Sequence, residues 1–180
     1  MIKKIPAIIL AAGASSRLGQ PKSLVNWNGE TLVKRANRLL QESGCAPIII
    51  VTRNELQIDV MLESPNSNVI VNPNPETGRT GSLQIGLKAL ISELGRTPRK
   101  VLVVPVDRCG WTTETIEKLV GEEKNTSPYP SGHPLLLTDI DIVLGLSEDS
   151  SLRENLQISR IEAPGEHMNI DSPEDLEMLR

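Results

Sequence analysis

The 180-residue chain contains no phenylalanine, one tyrosine (Tyr129) and two tryptophans (Trp27 and Trp111). It therefore lacks an aromatic platform on which single-stranded nucleic acid could stack. The formal net charge is −4 and basic residues form no block, so the electrostatic footprint of a nucleic-acid binder is missing too. The core has to be built from Ile, Leu, Val and Ala. Cysteine is scarce: Cys45 and Cys109 match no C-x-x-C pattern. Two reduced thiols in a cytoplasmic protein are expected. The two histidines, His133 and His167, lack the spacing of a zinc site. No apolar run approaches the ~20 residues that span a bilayer, so no membrane partner is expected. A composition of 38% hydrophobic and 23% charged residues excludes a disordered or fibrous chain, and the length suits one domain.

What is present alternates between two periodicities. Residues 5–12, the stretch "APIIIVTR", "NVIVN" and "KVLVVPVD" are short apolar runs, as strands buried on both faces of a parallel sheet read. Between them lie helical patterns. Thr31 caps one with Leu32, Val33, Ala36, Leu39 and Leu40 on its apolar side, ending at Gly44. Others are expected from Asn54 to about Glu63, over residues 80–94 with Leu83, Leu87, Leu90, Ile91 and Leu94 on one side, and from Thr112 to about Glu123. "NTSPYPSGHP" reads as a Pro/Ser-rich loop, "LLL" and "LQISRIEA" as strands, and residues 138–146 and 151–155 as short helices. A terminal helix begins with Ser172 as N-cap and Pro173 at its first position. Alternation through about residue 125 predicts an α/β protein with a mostly parallel sheet. The later strands are shorter and suit a substrate-binding edge region.

The opening stretch, "MIKKIPAIILAAGASSRLGQPKS", admits two readings. Two lysines, a short apolar run and small residues resemble a secretory signal. Alternatively, a buried strand runs into an anion-binding loop over residues 13–22. Small residues there let backbone N–H groups approach an anion, and Arg17 and Lys22 add positive charge. The loop is neither a P-loop, because Gln20 and Pro21 stand between Gly19 and Lys22, nor a G-x-G-x-x-G dinucleotide fingerprint, because five residues separate Gly13 and Gly19.

The stretch "LAAGASSRLGQPK" resembles the L-A-A-G-x-S-x-R-x-G-x-P-K signature of MobA-like nucleotidyltransferases, and most of all the branch containing molybdenum cofactor cytidylyltransferase. "NPNPETGRTGSLQIGL", "VVPVDRCGWTT", "SGHPLLL", "EDSSLREN" and "NIDSPEDL" resemble later segments of the same branch, in order and spacing. This continuity across the chain disfavours a cleaved signal. The resemblance implies a three-layer α/β/α Rossmann-like nucleotidyltransferase fold (GT-A-like) in a single domain. Residues 1–110 would be its nucleotide-binding part and residues 111–180 its acceptor side.

The resemblance also implies an activity: Mg²⁺-dependent transfer of CMP from CTP to the phosphate of molybdopterin, or of its Mo-bearing form, with release of pyrophosphate. A molybdoenzyme client would be a further partner. Arg17, Lys22, Asp107 and Asp171 would be catalytic, with Asp107 and Asp171 holding the metal. Leu10, Ala11, Ala12, Gly13, Arg17, Lys22, Asn72, Gly78, Ser82 and Asp107 would bind the nucleotide, and Gly132 and His133 the acceptor. Ala12 matches the cytidylyl pattern, where guanylyltransferase relatives carry L-A-G-G. Taken singly these residues are ambiguous. Asp107 could be a turn or cap residue, Asp171 an Asx turn before a capped helix, Ser82 a helix-start residue, and His133 a loop residue beside Pro134. Arg17 and Lys22 could be ordinary solvated charges. The chain departs from the branch at Cys109, where proline is usual, and at two serines of "EDSSLREN", where glycine is usual. It also lacks a Gly-Arg lead-in to "GHP". These departures keep two alternatives open: an enzyme of the same fold acting on a sugar phosphate or methylerythritol phosphate, or a non-catalytic nucleotide- or cofactor-binding chaperone.

Overall fold

The computed structural model describes residues 4–180. The apolar run at the start of the chain forms the strand β1 (Ala7–Ala11), buried along its whole length. It pairs in parallel with β4 (Ile48–Thr52) on one side and β6 (Val101–Pro105) on the other. Every residue of these three strands is buried, as continuous Ile/Val/Leu runs require in a sheet covered on both faces. Beyond β4 lies β5 (Asn68–Val71). Beyond β6 come β8 (Leu135–Leu137), β7 (Thr126–Tyr129) and β9 (Ser159–Glu162), giving the order β5-β4-β1-β6-β8-β7-β9. β8 runs antiparallel to both its neighbours, whereas β7 and β9 are parallel.

Successive side chains of β1 face opposite ways and divide the core in two. Ala7, Ile9 and Ala11 pack with Val33, Ala36, Leu39 and Leu40 of α1 (Leu32–Glu42), Val60 of α2 (Gln57–Glu63), and Ile116 and Leu119 of α4 (Thr113–Val120). Ile8 and Leu10 pack on the other face with Leu83, Leu87 and Leu90 of α3 (Arg79–Leu94), together with Ile140 and Val143 of α5 (Ile140–Gly145). This is a three-layer α/β/α arrangement. Truncating a fully buried side chain such as Leu87 to alanine would cost about 2–5 kcal/mol.

Local chemistry sets several boundaries. Thr31 caps α1 as expected, accepting the Lys34 N–H at 3.3 Å. Before it, β2 (Asn26–Trp27) and β3 (Glu30–Thr31) form a tight hairpin. Asn28 (φ 53°) and Gly29 (φ 85°) supply the left-handed conformation its two-residue turn demands. The last helical segment, Pro173–Leu179, is a 3₁₀ helix with a capping box between Ser172 and Asp175.

Three expectations need correction. The stretch read as a Pro/Ser-rich loop contains β7. Pro128 is tolerated there because it pairs with Ile161 of β9 at a position where β8 no longer follows β7. The helix expected from residue 138 starts at Ile140. Ile91 and Leu94, placed on the apolar side of α3, are only half-buried, because the helix has passed the sheet by its last turn.

Candidate active site

The strand order reverses between β1 and β6: the chain moves outward through β4 and β5, then returns to the far side of β1. Ligands of open parallel sheets bind outside the carboxyl ends of the strands at such a switch point. A cavity of about 190 Å³ lies there. Its walls are Leu10, Ala11, Ala12, Gly13 and Ser15 leaving β1, Pro105, Val106 and Asp107 leaving β6, and Gly78, Arg79 and Ser82 at the start of α3. Lys22 closes it.

Ser15 organises the loop after β1. Its backbone is left-handed (φ 54°). Its carbonyl accepts the Leu18 and Gly19 N–H groups, both at 3.2 Å, and its hydroxyl accepts the Lys22 N–H at 3.0 Å. Leu18 anchors the loop in a third apolar cluster with Val25, Leu32, Cys109, Met168 and Ile170. Cys109, standing where the resembling branch has proline, is an apolar packing residue, and burial pushes its thiol up to about 11. Cys45 is likewise buried and unbonded.

The same cluster brings the two candidate metal ligands together. The Ile170 N–H donates to the Asp107 carbonyl at 3.0 Å, which docks the C-terminal segment against the end of β6. Gly110 makes that docking possible. Its carbonyl accepts the Glu166 N–H at 2.8 Å, and a Cβ there would overlap the Glu166 carbonyl and sit 3.0 Å from Met168 Cγ. Arg35 pins the backbone between them. Its guanidinium stacks 4.3 Å from the Trp27 ring and donates to the carbonyls of Cys109 and Trp111, each at 3.3 Å.

Lys22 Nζ donates to Asp107 Oδ2 at 3.1 Å and to Asp171 Oδ1. Arg79 Nη2 also donates to Asp107 Oδ2, at 3.2 Å. Asp107 is 6% exposed at its side chain and Asp171 28%. The hydrogen bond from Lys22, then one from Asn169, hold the Asp171 carboxyl below the usual range against the effect of burial. Asn169 Nδ2 lies 2.5 Å from Asp171 Oδ2, while Asn169 Oδ1 is buried without a partner. Among the described residues no group of three His, Cys, Asp or Glu side chains converges. The two carboxylates offer oxygen donors only. Such hard donors, few in number, fit Mg²⁺, which keeps several waters and relies on substrate phosphates.

Most sequence-derived site residues thus converge: Leu10, Ala11, Ala12, Gly13, Lys22, Gly78, Ser82 and Asp107 line one cavity, with Asp171 at its mouth. Two stand apart. Arg17 is exposed, off the cavity wall, and acts on Asp171 only through its charge. Asn72 lies behind the wall, where its buried side chain donates to Ser82 Oγ at 2.9 Å and accepts the Asn74 N–H at 2.9 Å. Gly132 and His133 belong to a second cavity of about 680 Å³. Gly78 and Arg79 border both cavities. Sequence reasoning missed Arg79, although its place three residues before Ser82 puts it in the first turn of α3. It also missed Arg108, Arg153 and Arg160 of the second cavity, which come from three separate segments and share no local signal.

A Rossmann-like sheet with an anion loop and paired carboxylates at its switch point defines a nucleotide-binding α/β protein. The MobA-like NTP transferase domain matches residues 7–139, and the chain belongs to that family. A molybdenum cofactor guanylyltransferase of Xanthomonas euvesicatoria is 30% identical over 84% of this chain and 68% of its own length. A bifunctional IPC transferase and DIPP synthase of Thermococcus kodakarensis is 34% identical over 51% of this chain. The match spans only 22% of that longer enzyme. A solved nucleotidyl transferase from Methanothermobacter superposes with a TM-score of 0.78 at 19% identity, over 99% of this chain and 96% of its own, and so shares the fold. No helix among the described residues is long and apolar enough to cross a membrane.

Proposed function

We propose that this NTP transferase moves CMP from CTP to the phosphate of molybdopterin, or of its Mo-bearing form, with Mg²⁺ as cofactor. The observation that carries the reading is Lys22 held between Asp107 and Asp171 at the mouth of the switch-point cavity. An oxygen of the acceptor phosphate attacks the α-phosphorus of CTP, the bond to the β-phosphate oxygen breaks, and pyrophosphate leaves. The nucleophile is already ionised, so the protein needs no general base. Its task is to orient the reactants and offset charge. Lys22 and Arg79 supply positive charge at the cavity, and the exposed Arg17 adds its charge near Asp171. Asp107 and Asp171 would hold Mg²⁺. Bound there, the ion would offset negative charge on the phosphates.

Ala12 supports cytidine. It is 5% exposed on the cavity wall, and its methyl group narrows the space that a glycine would leave for a purine. The opposite base has support as well, since the Xanthomonas relative is a guanylyltransferase. Pyrophosphate release measured with CTP, GTP and ATP, each with Mg²⁺ and molybdopterin, decides between them. CTP should be the fastest. A preference for GTP would overturn the base assignment. Tight nucleotide binding without turnover would favour a carrier or chaperone.

A further inference from the structure

Several basic side chains of this molecule have acidic partners. Arg35 and Arg38 pair with Glu30, Arg53 with Glu55 and Glu76, and Lys100 with Glu123. The second cavity differs. Arg79, Arg108, Arg153 and Arg160 all line it, and among the described residues Arg108, Arg153 and Arg160 have no carboxylate within 4.0 Å. Glu148 and Asp149 are on the same wall but reach none of them. Arg108 Nε and His133 Nδ1 are buried there without hydrogen-bond partners. A buried donor left unpaired costs about 1–3 kcal/mol, and like charges around one cavity repel. Arg153 and Arg160 are exposed and solvated; the buried Arg108 Nε and His133 Nδ1 are the atoms that polar groups of an anionic ligand would satisfy. Apolar residues line it too: Leu135, Leu152, Leu156 and Ile158.

The two cavities meet at Arg79, which touches Asp107 on one side. An acceptor lying across this boundary presents its reacting phosphate near Arg79 and Asp107, and its remainder to Arg108, Arg153 and Arg160. A single phosphate does not account for three further guanidiniums. We infer that the acceptor is a phosphomonoester bearing a second anionic group on a compact, partly apolar body, and that Arg108 and Arg160 select for that second charge. The inference rests on the transferase reading and narrows its acceptor class. The state of His133 agrees. Burial first, then the charges of Arg108 and Arg79, push it down to about 4, with Arg153 acting the same way and Asp107 opposing. At neutral pH the imidazole is an uncharged hydrogen-bonding group beside the arginines.

The test uses three ligands on a six-carbon frame: fructose 6-phosphate with one anionic group, 6-phosphogluconate with a carboxylate added, and fructose 1,6-bisphosphate with a second phosphate. Calorimetric titration of the full chain should give at least about tenfold tighter binding for a frame with two anionic groups than for fructose 6-phosphate. The two ligands with a second anionic group then report whether a carboxylate or a phosphate is preferred. In Arg108→Gln and Arg160→Gln the advantage should fall below about threefold. Because each substitution relieves repulsion, the melting temperature of the ligand-free variants should hold or rise, which separates lost binding from lost folding. Equal affinities for all three ligands in the wild type would overturn the inference, as would an advantage that persists in both variants. The melting-temperature shift with CTP and Mg²⁺, read on the same proteins, tests the transferase reading separately: its absence would undermine that reading, whereas its presence with no preference for a second anionic group removes only this inference.

Discussion

Lys22 and Asp107 come from opposite halves of the chain and meet at 3.1 Å, and the same ammonium group also binds Asp171. Two carboxylates this close would otherwise repel, so Lys22 is their counter-ion when no divalent cation is bound. Lys22→Met should destabilise the protein by about 2 kcal/mol. That is less than the ~3–5 kcal/mol for breaking a fully buried pair, because Arg79 still reaches Asp107 and Asp171 keeps partial solvent contact. Urea denaturation with and without Mg²⁺ checks this. Mg²⁺ should restore more stability to the variant than it adds to the wild type. An equal effect on both would mean that the carboxylates do not share the ion.

The base preference rests on one methyl group. Ala12→Gly should leave the fold intact and widen the cavity, lowering the CTP-to-GTP ratio of kcat/KM by roughly tenfold, the scale of one methylene-sized discrimination. An unchanged ratio would show that the base does not lie against Ala12.

Gly110 offers a structural check on how Asp171 is positioned. Gly110→Ala forces the Glu166 backbone and Met168 away from the end of β6. Overpacking of this kind costs about 1–3 kcal/mol, and here it also displaces the segment that carries Asp171. Thermal denaturation should report the first effect and weakened Mg²⁺-dependent nucleotide binding the second. Native-like behaviour in both assays would mean the C-terminal segment is not docked through Gly110.

Much of this architecture was legible from periodicity. The runs around Ile8, Ile49 and Val103 could only be strands buried on both faces, and Thr31 announced α1. The loop with Lys22 followed from a strand end and small residues, whereas Asp107, taken singly a turn or cap residue, stood out only through the family resemblance. β7 was hidden because Pro128, with Pro130 and Pro134 after it, reads as a loop. What makes it a strand is its partner β9, which lies far along the chain. The pairing of Asn72 with Ser82 and the convergence of Arg108, Arg153 and Arg160 were illegible for the same reason. Long-range packing brings them together, and no local pattern marks it.

His133 makes stability depend on pH in a defined direction. Its ordinary value is 6.5 and its folded value about 4, so the unfolded chain binds more protons between these limits. Stability contributed by the neutral imidazole is present above about pH 6.5 and is lost as pH falls toward 4, by up to roughly 3 kcal/mol. His133→Gln should flatten that part of the stability profile measured by urea titration at successive pH values. A profile identical to the wild type would show that His133 is not buried neutral.

The most direct test of the central claim is the melting temperature of the wild type and of Asp107→Asn with CTP, with and without Mg²⁺. A ligand that binds only the folded chain raises apparent stability by about 2.7 kcal/mol at a hundred times its dissociation constant, a shift of several degrees for a domain of this size. CTP should raise the melting temperature of both proteins, and Mg²⁺ should enlarge the shift in the wild type and leave it unchanged in Asp107→Asn. A Mg²⁺-independent shift in the wild type, or the same Mg²⁺ response in both proteins, would contradict that claim.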